Sequence, residues 1–340
     1  MFMLTLKIVF IIYTGVTKME VFSLTLTQML MMFVFILIGI VLNKSRILPD
    51  NTDMVLSRLH VYAFAPAQIC YAMMKYCTVE AFKENAFQIG YGTFFITLAI
   101  VISYPLSRLF VRKPKENHET LAISGIYKYG LAFANNGIIG NFLVLGLWGT
   151  DMLFRYSMYR LPLDILSYLW GFYVLLPKDR SVHLTKSLMH SLLTPPIICC
   201  FLGMILGLTG IAKFIPEFIG TAFNNASNTV GPVAMITAGF VIGRYNFKDL
   251  LSLKKTYLMT ALRLLILPGL FLTGLTLLNA PKETIMFTLI AFASPIGMNT
   301  IVVPASYGGD THIGASMVMI SNVLSCLTIP LMFMIFVGQF

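Results

Sequence analysis

The chain has 340 residues, of which 57% are hydrophobic and 11% charged; an ordinary soluble domain carries roughly 25% charged residues. A mean hydropathy of +0.82 leaves too little polar surface for a cytosolic enzyme, a secreted module or a disordered chain, and the long apolar runs exclude a membrane β-barrel, whose strands alternate in polarity. The formal charge of +10 sits in short loops between those runs, where it reads as membrane topology and not as a nucleic-acid footprint.

Residues 1–22 read as an N-terminal extension. Its one apolar run, Ile8–Tyr13, is too short to cross a bilayer, and no small-residue cleavage site follows it. Met19 therefore reads as the true start, with residues 1–18 upstream of it. Ten apolar stretches then predict ten membrane spans, at about 23–43, 54–76, 87–110, 120–149, 152–176, 188–211, 214–243, 255–279, 284–307 and 312–337. The fold class is an all-α polytopic membrane protein.

Lysine and arginine sort onto alternate loops. The loops after spans 1, 3, 5 and 7 hold fourteen; those after spans 2, 4, 6 and 8 hold five. The positive-inside rule puts the richer set in the cytoplasm and both termini outside, in a multi-pass plasma-membrane protein. A cytoplasmic linker at 177–187 divides the chain into two five-helix repeats, 23–176 and 188–340. An odd number of spans per half orients the halves oppositely, which is the inverted repeat of many secondary transporters.

Span 4 carries Lys128 and then Asn135-Asn136-Gly137-Ile138-Ile139-Gly140-Asn141. Span 9, its counterpart, carries Ser294-Pro295-Ile296-Gly297-Met298-Asn299-Thr300. Glycine, proline and asparagine at this depth break a helix, and backbone groups freed by a break cannot face lipid. Spans 4 and 9 are thus expected to be broken crossover helices, whose half-helix ends and amides replace a solute's hydration. The candidate substrate-binding residues are Asn135, Asn136, Gly137, Gly140, Asn141, Pro295 and Asn299. Interhelical hydrogen bonding is the alternative use of the asparagines.

These segments resemble the auxin efflux carrier family, which includes the plant PIN carriers and bacterial organic-acid permeases. Asn136 through Gly140 is similar to its Asn-x-Gly-Phe-Ile-Gly-x-Pro element, and Pro295 through Asn299 to its Pro-x-Ala-x-Asn element. Ile47-Leu48-Pro49, Phe64-Ala65-Pro66, Arg263 through Pro268 and Tyr307-Gly308-Gly309-Asp310 fall where that family has similar segments. The resemblance covers about residues 19–340. It implies ten helices in a five-plus-five inverted repeat, both ends outside, spans 1, 2, 6 and 7 as a scaffold, and small carboxylates such as malate, malonate or an indole acid as cargo. The family's proline after the second glycine of span 4 is Asn141 here. The long cytoplasmic loop of the PIN carriers is absent, which argues against auxin itself.

Ionisable residues inside spans are expensive and read as functional. Lys128 lies two turns before Asn135 and Asn136, on one face of a continuous helix. It either draws an anion into the site or snorkels to the surface. Arg160 and Asp164, four apart on span 5, predict a mutual salt bridge. The alternative is that Arg160 meets a substrate carboxylate through its fork, with Asp164 supporting it. Arg263 on span 8 reads as structural or snorkelling. Three bases and one acid favour a small organic anion as the partner. Moving an anionic charge outward gains about 2.3 kcal/mol per 100 mV, so efflux or uniport needs no coupled ion. Uptake coupled to H⁺ or Na⁺ is the alternative, with Asp164 a poor proton carrier while Arg160 holds it.

The five cysteines form no C-x-x-C pair and read as packing residues. No metal spacing, cofactor motif or nucleophile–base motif is present, so no metal, no cofactor and no enzymatic activity are expected. A non-transporting receptor would not need two matched breaks. Gly203-x-x-x-Gly207 serves either internal helix packing or a homodimer face.

Overall fold

The computed structural model describes residues 2–112, 118–176, 194–306 and 309–337. The predicted linker at 177–187, the start of predicted span 6, Tyr307 and Gly308 lie outside the described residues. All the named elements are helical, and the β-pairing among the described residues is an isolated bridge. Among the described residues, six helices are long and apolar enough to cross a membrane: Met19–Lys44, Val79–Ser107, Asn136–Leu175, Glu217–Gly243, Lys254–Leu277 and His312–Phe336. Pro195–Leu208 is apolar but shorter.

Helix α1 (Phe2–Lys44) runs unbroken through the predicted extension. Predicted span 2 is built from α2 (Thr52–Leu59), a π turn (His60–Phe64) and α3 (Ala65–Tyr76). Pro66 follows directly on the π turn inside this helical run, where its missing N–H interrupts the regular backbone ladder. Helix α4 (Val79–Asn85), capped by the Thr78 side chain, leads into α5 (Phe87–Ser107). Helix α6 (His118–Ala132) stops short, and the chain restarts through a π turn (Asn136–Gly140) into α7 (Asn141–Leu166).

Within α7, Gly149 has φ 80° and ψ −170°, a conformation that a missing Cβ permits. The chain folds back there. Arg160 donates to Asn141 at 3.0 Å, whereas their 19-residue separation would put them about 28 Å apart along a straight helix. This separates predicted spans 4 and 5 near their expected boundary. A π turn (Ser167–Gly171) and α8 (Phe172–Leu175) follow.

After residue 193 come α9 (Pro195–Leu208), a 3₁₀ turn (Ile211–Phe214), α10 (Glu217–Gly243) and α11 (Phe247–Ser252). Helix α12 (Lys254–Ala261) joins α13 (Leu267–Leu277) through a π turn (Leu262–Ile266). Helix α14 (Lys282–Ala293) is interrupted before α15 (Asn299–Ser306), and α16 (His312–Phe336) is last. Every residue from Thr284 to Ala293 is buried. A helix apolar and buried on all sides belongs at a bundle's centre, and α14 delivers the second break there.

Lipid gives helices no hydrophobic reason to associate, so close packing relies on small residues. Gly39 of α1 lies against the Ile236 carbonyl of α10, and Gly239 of α10 against that of Ile36. Gly203 and Gly207 of α9 lie against the backbone of Cys70 and Cys77, at α3 and its C-cap. The Gly-x-x-x-Gly pair therefore serves an internal contact. At one end of the bundle Arg244 bonds the Asp53 carboxylate at 2.5 Å, and Lys255 donates to the Phe110 carbonyl at 2.7 Å. Tyr245 donates to Thr311 there at 2.9 Å. Segments following predicted spans 1, 3, 7 and 9 thus meet. Arg155 and Glu283, 3.0 Å apart, join the starts of predicted spans 5 and 9.

Candidate functional site

The two breaks meet each other. The Asn135 N–H donates to the Pro295 carbonyl at 2.7 Å, and Ala134 pairs with Ile296 as an antiparallel bridge. The Ile296 N–H donates to Ser321 Oγ at 3.1 Å. Each break thereby supplies partners that the other lost when its helix stopped, and these backbone groups are satisfied within protein. Pro295 contributes its carbonyl to this junction; it has no N–H to satisfy.

The carboxyl ends of the two interrupted helices share one cation. Arg263 is fully buried, at 0% exposure. Its Nη1 donates to the Leu131 carbonyl at 3.0 Å and its Nη2 to the Ala291 carbonyl at 3.3 Å. Leu131 and Ala291 lie in the last turns of α6 and α14, where carbonyls lack helical partners and the dipole is negative. The guanidinium also stands 5.5 Å from the Phe292 ring centroid. The sequence reading left Arg263 as structural or snorkelling; the geometry is that of an interior clamp.

The amino ends of the restarting segments face a cavity of about 210 Å³. Asn135, Asn136, Gly137 and Asn141 line it from the first break, and Gly297 and Asn299 from the second. Helix α7 contributes Arg160 and Asp164, and His60 and Cys200 also line the cavity. Two half-helix N-termini give this space positive potential.

Arg160 is 4% exposed and held on two sides. Its Nη2 pairs with Asp164 Oδ2 at 3.1 Å, and its Nη1 donates to Asn141 Oδ1 at 3.0 Å. A Cβ on Gly137 would lie 2.9 Å from Nη1, so glycine lets the guanidinium lie against the break. Gly140 does not line the cavity; it leaves room for the Tyr156 hydroxyl, which donates to the Asn136 carbonyl at 3.2 Å. Asn299 Nδ2 donates to the Tyr129 hydroxyl at 2.8 Å, tying the second break to α6.

Lys128 does not line the cavity. Its ammonium stands 4.8 Å from the Tyr104 ring centroid. Sequence reasoning passed over Tyr156, His60 and Gln68. Tyr156 lies one turn before Arg160 on the same helix face, a signal the i, i+4 rule could have caught. Gln68 is the one amide within predicted span 2. Among the described residues, no group of three His, Cys, Asp or Glu side chains could hold a metal ion.

The arrangement can bind a small polar solute, with hydrogen-bond donors and one buried cation prominent among its contacts. A model of the membrane transport protein family matches residues 24–333. An uncharacterized transporter of Methanocaldococcus jannaschii is 23% identical over 307 residues, covering 89% of this chain and 96% of that protein.

Proposed function

This chain belongs to the membrane transport protein family of auxin efflux carrier-like transporters, and from that premise we propose a secondary carrier that moves a small organic anion, a carboxylate, by alternating access. It is a transporter and not an enzyme. The observation that carries the substrate class is the cavity where the breaks meet, with Arg160 in its wall and two half-helix N-termini facing it. A carboxylate oxygen is the natural acceptor for such donors.

The proposed architecture is ten spans in two inverted five-helix repeats. Two spans are then discontinuous: α6 with the first part of α7, and α14 with α15. The fold-back at Gly149 and the meeting of alternate loops at one end support this count. The close pairs α1–α10 and α3–α9 would form the scaffold, and the interrupted helices the moving part. The fourteen-to-five bias of basic residues supports cytoplasmic placement of the richer loops, with both termini outside a plasma membrane.

The membrane potential suffices to drive efflux of an anion. Proton-coupled uptake is the second reading. It would use the His60 imidazole, which lies in the wall of the same cavity, as the proton carrier.

Counterflow in proteoliposomes tests the proposal. Vesicles preloaded with unlabelled mono- and dicarboxylates are expected to accelerate uptake of labelled malate or malonate. The Asn136→Ala, Asn299→Ala double variant is expected to lose that acceleration. Folded wild-type protein that exchanges no acid would refute the carboxylate assignment.

A further inference from the structure

A continuous polar chain runs through the core beyond the cavity. Asp164 accepts from Arg160 at 3.1 Å, and Arg160 donates to Asn141 Oδ1 at 3.0 Å. Asn141 Nδ2 donates to Gln68 Oε1 at 2.7 Å, and Gln68 Nε2 donates to the Ser227 carbonyl at 3.2 Å. Asn141 and Gln68 are both buried, at 2% and 1% exposure. The chain connects α7 through α3 to α10.

Its far end meets a second cavity, of about 230 Å³, lined by Gln28, Gln68, Gly146, Ser227 and Asn228 among others. Two oxygens there, Gln28 Oε1 and Ser227 Oγ, are buried with no hydrogen-bond partner. Buried polar atoms of this kind call for a donor that arrives with solvent or solute. Asn141 lines the first cavity and not the second; Gln68 lines the second and not the first. Their mutual hydrogen bond therefore stands between two polar spaces.

We propose that the Asn141–Gln68 hydrogen bond is the partition of the carrier, closing the solute cavity toward the second cavity and breaking when the solute passes between them. The inference rests on the alternating-access reading above. Asn141 orients Arg160 with its oxygen and bars the passage with its nitrogen, so it couples solute contact to closure. Gln68 serves the closure alone. It joins the interrupted part of the protein to α3, a member of the closely packed group, which is where a carrier's moving and fixed parts must separate. A proline at 141, as in the resembled family, could make neither side-chain bond.

The first test needs no solute. Ser227→Cys places a buried thiol in the second cavity, and a small membrane-impermeant thiol reagent is applied from the side of the first cavity. Peptide mass spectrometry separates this thiol from the five native cysteines. Adding Gln68→Ala, or Asn141→Ser should that variant fail to fold, is expected to raise the labelling rate about tenfold, the factor a lost buried hydrogen bond supplies. An unchanged rate in folded protein overturns the partition. The second test is counterflow. Gln68→Ala is expected to leave the half-saturation concentration unchanged, because Gln68 does not line the first cavity, while leak rises about tenfold relative to exchange. A shift in half-saturation with no added leak overturns it. Wild-type protein that exchanges no acid yet shows the labelling change would sink the carboxylate reading and leave the partition standing.

Discussion

Two arginines are buried beside the meeting breaks, and they do opposite work. Arg160 has a carboxylate partner, an amide partner and a cavity before it. Arg263 has two backbone carbonyls and an aromatic ring. The first is a side chain in the wall of the proposed solute site, and Asp164 balances its charge. The second is the shared cap of two helices from different halves of the chain. Arginine suits both tasks because its planar fork presents five donors in fixed directions. What surrounds it decides which task it performs. By neutralising the negative ends of α6 and α14, Arg263 also leaves the positive ends of the restarting segments as the dominant dipoles at the cavity.

Substitutions separate the two roles. The largest effect is expected at Arg263. Arg263→Met leaves the carbonyls of Leu131 and Ala291 buried without their shared donor, at a cost of about 2–4 kcal/mol. The thermal midpoint of the solubilised protein should fall by several degrees and the folded yield with it. Arg160→Lys comes next. A lysine keeps the charge but loses the fork, so it cannot hold Asp164, Asn141 and a carboxylate together. The half-saturation concentration for counterflow should rise about thirtyfold, equivalent to ~2 kcal/mol, with folded yield retained. Gly137→Ala pushes on the guanidinium from the other side and should raise half-saturation about tenfold, or ~1.4 kcal/mol. Tyr156→Phe removes one hydrogen bond of 3.2 Å to the Asn136 carbonyl. It should cost about 1 kcal/mol or less, visible as a small drop in thermal midpoint.

Some of this was legible in the sequence because its causes are local. Glycine, proline and asparagine clusters mark both breaks wherever the chain is placed, and four-residue spacing brings Arg160 to Asp164. The junction was not legible, because the Asn135–Pro295 bond joins segments whose proximity only tertiary packing creates. Arg263 was undervalued for the same reason: its ligands are carbonyls at helix ends, and carbonyls have no signature in a sequence. Lys128 illustrates a subtler limit. Two-turn spacing puts it near Asn135 only if the helix continues, and α6 ends at Ala132. The lysine stands instead on Tyr104, from another span. Asn141, conspicuous as a departure from the family's proline, proves to link Arg160 to Gln68, which composition alone could not suggest.

On this reading Arg160 serves the solute and Arg263 serves the fold. The most direct measurement sets Arg160→Lys beside Arg263→Lys, reading folded yield and counterflow half-saturation on each. The account predicts that the first keeps its yield and loses apparent affinity, while the second loses yield and keeps wild-type affinity in the protein that folds. Loss of affinity in both, with yield intact in both, would contradict it and put Arg263 in contact with the cargo.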